Sequence, residues 1–225
     1  MRILLLVTAG TLLLAGCATT APSGVPYTQA SSALSTLWHK HQAAVGSIIA
    51  FTLNARVATQ GSFGITGDLR WHEQNGQFQI HFSGPFGAGA VEIAGDPYVV
   101  QIRSGDKRYV TSHPRAFLLK QFGWTLPLKG LRYWALGLPA PDRAGTPPAK
   151  LTLDDHGRLR SLTQAGWTID YLSYQTAGQN ESYPLPHKLV MHGQTTEFRI
   201  VIDRWQGLAT KRTAQVGIIA LADGA

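Results

Sequence analysis

The sequence predicts a mostly β domain with a few helices (α+β), built on a long antiparallel sheet. Three observations carry this. From Phe51 onward, apolar residues alternate with polar ones over about ten segments, the period of strands that bury one face. Gly, Pro, Asn and Asp punctuate these segments at short intervals, as hairpin connections require. Helical spacing recurs in only three short stretches.

The elements follow in order. Ser32 to Ser47 carries Leu34, Leu37, Trp38 and Val45 near helical spacing, with Ser31 or Ser32 as its cap. Then the period becomes two. Phe51, Leu53, Ala55 and Val57 alternate with small or polar residues, and Phe63, Ile65, Gly67, Leu69 and Trp71 do the same. Asn75-Gly76 is a hairpin signal, because both residues tolerate positive φ. Phe78, Ile80 and Phe82 carry the apolar face back. Gly84-Pro85-Phe86-Gly87 interrupts the pattern, and Val91 and Ile93 resume it. Asp96-Pro97 turns the chain into Tyr98, Val100 and Ile102, and Gly105-Asp106 turns it again toward Tyr109. His113 to Phe122 reads as a short helix with Phe117, Leu118 and Phe122 as its stripe, stopped by Gly123. Leu128 to Leu136 reads as another, ended by Gly137 and Pro139, and the Pro- and Gly-rich run Pro139 to Pro148 is a loop. Strands return with Leu151 and Leu153, a turn at Asp155 to Gly157, then Leu159 and Leu162. Trp167, Ile169 and Tyr171 form one more. Leu189 and Met191 precede a turn at His192-Gly193, and Phe198, Ile200 and Ile202 form the last clear strand, ending near Trp205. The run Val216 to Leu221 reads either as an added strand or as a loose end. A sheet with one apolar face must be covered, and the helices are the available cover. The pattern is compatible with a solid core and with an incompletely filled one.

The N-terminus carries a second kind of information. Arg2 is followed by an apolar run, Ile3 to Leu14, too short for a membrane span, which needs about 20 apolar residues. Leu14-Ala15-Gly16-Cys17 resembles the lipobox of bacterial lipoproteins, and Cys17 is the only cysteine in the chain. A structural disulfide within the chain is therefore excluded. The expectation is cleavage before Cys17, with N-acyl and S-diacylglycerol groups on that residue and no separate cofactor. Residues 1–16 then read as signal peptide and 17–31, rich in Thr, Ser, Pro, Gly and Ala, as lipidated cysteine plus flexible tether. Residues 32–207 read as one folded domain, and 208–225 as a tail outside the pattern. The formal charge of +7 becomes +6 without Arg2, and no segment concentrates Lys and Arg as a nucleic-acid site does. In an exported lipoprotein it fits solubility and attraction to anionic headgroups.

The residues from about Trp38 to Trp205 resemble the LolB family of outer-membrane lipoproteins. The specific pieces are Gly84-Pro85-Phe86-Gly87, then Leu126-Pro127-Leu128-Lys129-Gly130-Leu131-Arg132-Tyr133-Trp134 with Gly137-Leu138-Pro139. Leu153-Asp154-Asp155 with Gly157-Arg158-Leu159, and Leu185-Pro186 ahead of the last strand, complete them. The resemblance implies an incomplete antiparallel β-barrel capped by about three helices around a hydrophobic cavity. It implies a monomeric receptor that accepts lipoproteins, by their acyl chains, from the periplasmic carrier LolA. It then inserts them into the inner leaflet of the outer membrane. Trp71, Phe78, Ile80, Phe82, Ile93, Val100 and Trp134 are the candidate cavity lining, though each could also be an ordinary core residue. Pro85, Phe86 and Gly87 match the family's protruding membrane-insertion loop, with Phe86 where Leu is commoner. Arg103, Lys107 and Arg108 are candidates for meeting the carrier or lipid headgroups, or form a plain solvated face.

Other readings stay weaker. His39 and His41 are two apart, which on a helix points them to different sides. No HExxH, GxSxG or paired CxxC is present, so neither an enzyme nor a metal site is expected. Asp154-Asp155 precedes a Gly turn, where acidic residues are common. Gly84 to Gly89 is glycine-rich, but strand rather than helix follows it, unlike a phosphate loop. A second function of another class, a structural or sensor lipoprotein that binds lipid without passing it on, uses the same half-barrel.

Overall fold

Among the described residues, ladder hydrogen bonds join twelve strands into a single antiparallel sheet that does not close. The computed structural model describes residues 24–60, 64, 66–87, 89–123, 125, 127–141, 149–177, 183–194 and 196–211. The signal segment 1–16, Cys17 and most of the tether, Phe63, Ile65 and the run Val216 to Leu221 lie outside the described residues.

The strands are β1 (Val25–Pro26), β2 (Ile48–Gln60), β3 (Thr66–Gln74), β4 (Gln77–Ser83), β5 (Val91–Gly95), β6 (Val100–Ser104) and β7 (Lys107–Thr111). After two helices come β8 (Lys150–Leu153), β9 (Leu159–Gln164), β10 (Trp167–Thr176), β11 (Pro184–His192) and β12 (Glu197–Thr210). The helices are α1 (Ser32–Gly46), α2 (Pro114–Phe122) and α3 (Leu128–Ala135). The sheet runs β1-β8-β9-β10-β11-β12-β2-β3-β4-β5-β6-β7.

Local chemistry explains the joints. The Ser31 hydroxyl accepts from the Leu34 N–H at 3.2 Å and caps α1. Asn75 (φ 52°) and Gly76 (φ 85°) turn β3 into β4, as a tight hairpin of right-twisted strands demands. Pro114 opens α2, and Gly123, in the left-handed region, closes it.

Two expectations change. The sheet has twelve strands rather than about ten, because its ends escape the alternation test. Val25 and Pro26, inside the segment read as tether, pair with Leu153 and Thr152. The last strand runs past Trp205 to Thr210, although residues from 208 onward read as tail. Register shifts between Ile202 and Arg204 and again after Gln206 break its period of two and hide it from a pattern search.

The apolar face of the sheet is the inner one, and the core runs along it, with Phe51, Leu53, Ile102, Leu162 and Ile169 all buried. Helix α1 seats Trp38 and Val45 in this core and touches the turn between β8 and β9. That contact depends on Gly157. Its φ is +70°, and a Cβ there would lie 2.5 Å from Leu37 Cβ and 2.7 Å from the Trp38 nitrogen. Gly157→Ala should therefore lower unfolding stability by about 2–4 kcal/mol, from backbone strain plus overpacking. Denaturant titration checks it, with Gly76→Ala, where a Cβ would meet no other atom, as the strain-only reference.

Candidate lipid-binding cavity

Cross-strand register arranges the inner face in rows, and the rows define a cavity. Leu53, Trp71, Ile80 and Ile93 face one another across β2, β3, β4 and β5. One row nearer the 84–90 connection, Leu69 pairs with Phe82 and Phe82 with Val91. Val57 pairs with Ile200, Thr59 with Phe198 and Phe198 with Met191, carrying the surface through β12 to β11. Together with Leu189, Ile202, and Leu131 and Ala135 of α3, these residues enclose about 90 Å³. That β5 and β11 wall the same space shows how far the sheet curves. Among the described residues, Thr59 is the one polar residue in the lining.

The row at the opposite end forms the floor. Phe51, Glu73, Phe78, Gly95 and Val100 pair in sequence across β2 to β6. Of the seven candidate lining residues, Trp71, Ile80, Phe82 and Ile93 line the cavity, whereas Phe78, Val100 and Trp134 do not. Phe78 and Val100 sit one row too deep: a period of two assigns a face but not a depth along the strand. Trp134 is turned away because its indole N–H donates to the Gln164 Oε1 at 3.0 Å.

Helix α3 roofs the cavity, and side-chain contacts along its length hold it there. At its C-terminal end the bonds are well made. Besides the Trp134 bond, the Tyr171 hydroxyl donates to the Trp134 carbonyl at 2.9 Å. Gln164 also exchanges bonds with the Ala140 backbone at 2.8 and 2.9 Å. Midway along the helix, Arg132 reaches Glu73 on the floor, with Nε 3.3 Å from Oε1. Glu73 is 1% exposed. The two atoms are close enough to attract but misaligned, so neither completes a hydrogen bond among the described residues. The Trp71 indole donates to the other carboxylate oxygen at 3.3 Å, and the Arg132 Nη2 donates to the Ile48 carbonyl at 2.5 Å. Burial pushes the Glu73 carboxyl above its ordinary value; Arg132, the Trp71 N–H and the Gly76 N–H only partly oppose it. Pattern reading missed Glu73, although it continues the inward series Leu69, Trp71, an acid where an apolar residue belongs.

At the other end, Pro85–Gly87 form a single 3₁₀ turn, closed by the Gly87 N–H to the Gly84 carbonyl at 3.0 Å. Pro85 and Gly87 are exposed, and a Cβ on Gly87 or Gly89 would meet nothing within 4 Å, so this part of the connection projects into open space. The side chain of Phe86 lies outside the described part.

An apolar pocket under a helix, inside an unclosed antiparallel barrel, fits a lipid binder. The profile of the family described as outer membrane lipoprotein LolB matches residues 50–205. The chain belongs to the LolB family of outer-membrane lipoproteins. An outer-membrane lipoprotein LolB of Nitrosococcus oceani is 37% identical over 199 residues, covering 87% of this chain and 92% of that protein. One of Pseudomonas putida is 36% identical over 171 residues, covering 75% of this chain and 80% of that protein. Among solved structures, a DUF1329 family protein of Desulfovibrio piger is similar in fold alone, with a TM-score of 0.50 and 7% identity over 80% of this chain and 92% of that one.

The remaining candidates of this LolB-family chain are occupied by ordinary work. Asp154, Asp155 and His156 bring their ligand-type atoms within 4.8 Å. Asp154, however, accepts from the His156 and Arg158 backbone N–H groups and pairs with the Arg158 side chain at 2.7 Å, so the cluster ties a turn. His39 lies 3.2 Å from the Tyr27 hydroxyl, and His41 is buried, its pKa lowered to about 4 chiefly by that burial. Arg103 pairs with Glu92, while Lys107 and Arg108 are exposed on the edge strand β7.

A raised carboxyl value has a sign. The folded chain holds the Glu73 proton more tightly than the unfolded chain. Stability from this group is greatest below the unfolded value near 4.5 and is lost as pH rises through the higher folded value. Glu73→Gln should therefore gain stability relative to the parent protein as pH rises above that unfolded value. Paired urea titrations across that rise check it; a gap that stays constant or moves the other way contradicts it.

Proposed function

We propose that the cavity receives the acyl chains of lipoproteins from a LolA-type periplasmic carrier and releases them into the inner leaflet of the outer membrane. The observation that carries this is the apolar cavity itself, whose lining runs along β4 and β5 to the projecting Pro85–Gly87 turn. Each methylene moved out of water is worth about 0.8 kcal/mol, so long chains need continuous apolar shelter between carrier and bilayer. Phe82 and Val91, the lining residues that flank the turn, extend that shelter toward its tip. The chemistry is physical transfer: no bond is made or broken, and the protein is not an enzyme. Cys17, lipidated, supplies location, so a Cys17→Ala domain kept soluble still accepts cargo.

Family membership and the form of the turn support the reading that Phe86 dips into the interface. The decisive experiment mixes a purified lipoprotein–carrier complex with the soluble domain and follows the cargo by size-exclusion chromatography. Cargo should move to the domain. Cargo that stays on the carrier would favour the lipid-binding sensor instead. With vesicles added, Phe86→Glu should accept cargo normally but deliver it at least about tenfold more slowly, the cost of losing one buried aromatic side chain at the interface. Delivery at the parent rate would remove Phe86 from the mechanism.

A further inference from the structure

We propose that one row of arginines on the outer face of the sheet is a second bilayer contact, which binds the phosphates of anionic lipids and holds the mouth of the cavity against the leaflet. It builds on the reading that the Pro85–Gly87 turn meets the bilayer, and its test separates the two.

The register defines the row. Arg204 on β12 pairs with Asn54 on β2, Asn54 with Arg70 on β3, and Arg70 with His81 on β4. His81 pairs with Glu92 on β5, Glu92 with Arg103 on β6, and Arg103 with Arg108 on the edge strand β7. These residues alternate with the buried ones and face outward, and all four arginines are exposed. At 4.7–4.9 Å between strands, the row is about 29 Å long. Glu92 is its one acid, and it is spent on Arg103 and on the Gln79 amide at 2.8 Å. The arginine ion pairs among the described residues use Arg56, Arg103, Arg132, Arg158 and Arg199; none uses Arg70, Arg108 or Arg204.

Among the described residues, unpaired positive charge on this outer face is confined to that level. The next row toward the floor, from Gln206 on β12 to Val110 on β7, contains no Lys, Arg, Asp or Glu. On the mouth side Arg56 stands opposite Asp68 and pairs with Asp203 at 2.7 Å. Charges on an edge strand guard against unwanted strand pairing, which accounts for Arg108. It does not account for Arg70 and Arg204, which lie inside the sheet. Arg103 directly opposite Arg108 also sets like charges together, and Glu92 relieves one of them only.

A leaflet presents its phosphates at one depth, so cations at one level meet them together; a protein partner imposes no such plane. The level is also the right one. From β3 to β7 each member is next in sequence to a residue of the row Leu69, Phe82, Val91, Ser104 and Lys107, the lining-face row nearest the 84–90 connection. His81 is four residues from Pro85, at most about 14 Å of chain. Apolar groups of interfacial segments sit about 5–10 Å into the boundary between headgroups and acyl chains, so a turn seated there brings the row to the phosphates. Arginine suits that position, because its long stem reaches and its fork binds phosphate oxygens in pairs. Membership of a family of outer-membrane lipoproteins places a bilayer beside the domain.

The test is co-sedimentation of the soluble domain with vesicles of phosphatidylcholine alone, and of phosphatidylcholine with phosphatidylglycerol at about two to one. At low salt the parent should bind the anionic vesicles at least about tenfold more tightly, and the preference should vanish as salt shortens the Debye length. Arg70→Gln, Arg108→Gln and Arg204→Gln combined should lose at least about tenfold in affinity for anionic vesicles, since each arginine near the surface is worth about fivefold. Affinity for neutral vesicles should stay at the parent value. A control triple, Lys40→Gln with Arg115→Gln and Lys120→Gln, removes the same charge from exposed positions off the row and should bind as the parent does. Should the row triple fail to fold, each single row substitution should still lose about fivefold. Equal losses in the two triples would reduce the effect to net charge, and a parent without preference would overturn the row as a lipid contact. A row triple that binds vesicles normally but takes cargo from the carrier more slowly would assign the row to an acidic protein face instead. Phe86→Glu should weaken binding to both kinds of vesicle and keep the anionic preference. If it binds both as the parent does, the turn is removed from the bilayer while the row stands on its lipid preference.

Discussion

The hydrogen-bond ladder that runs unbroken from β1 to β7 constrains everything else in this fold. Its centre is the pairing of β2 with β12, strands of 13 and 14 residues, which puts Val57 against Ile200 and Leu53 against Trp205. A sheet bound so continuously cannot open by sliding strands apart, because each lost pair exposes backbone groups to an apolar interior. It can only curve. Curvature turns its apolar side inward, and with two free edges it leaves a trough rather than a sealed barrel. The trough then needs a cover that does not share the ladder, which is the position α3 occupies.

How legible this was in the sequence depends on which rule each residue obeys. Trp71, Ile80, Phe82 and Ile93 obey the period of two, and they line the cavity. Phe78 and Val100 obey it equally well, yet lie in the floor, because depth along a strand is set by pairing between strands and leaves no mark on either strand alone. Trp134 was legible as a buried aromatic but not as an anchor, since its partner Gln164 lies 30 residues away on β9. Glu73 was hidden by its own chemistry. A charged residue looks like the end of an apolar face, and the arrival of Arg132 from a distant helix, with the Trp71 and Gly76 N–H groups, makes that position tolerable.

The cavity's uniformity also explains what it can discriminate. With Thr59 the one polar residue in the lining among the described residues, the wall offers shape and apolar area but almost no directional contact. Such a surface cannot strongly prefer one acyl chain over another, since one methylene more or less changes the free energy by only about 0.8 kcal/mol. A receptor for many lipoproteins has to ignore their differing polypeptides and read only what they share. An undecorated apolar trough does this, and the flexible thioether side chain of Met191 adapts to the rest.

Release is the harder half of the problem, because the bilayer is no more apolar than the cavity. On the reading proposed above, the difference comes from how much of each chain is sheltered. A cavity of about 90 Å³ covers only part of the several long acyl chains of a lipoprotein. The bilayer covers them along their whole length, and each further methylene taken out of water is worth about 0.8 kcal/mol. A wall without directional contacts has no hydrogen bond to break when the chains leave, so the same apolar uniformity that accepts them also lets them go.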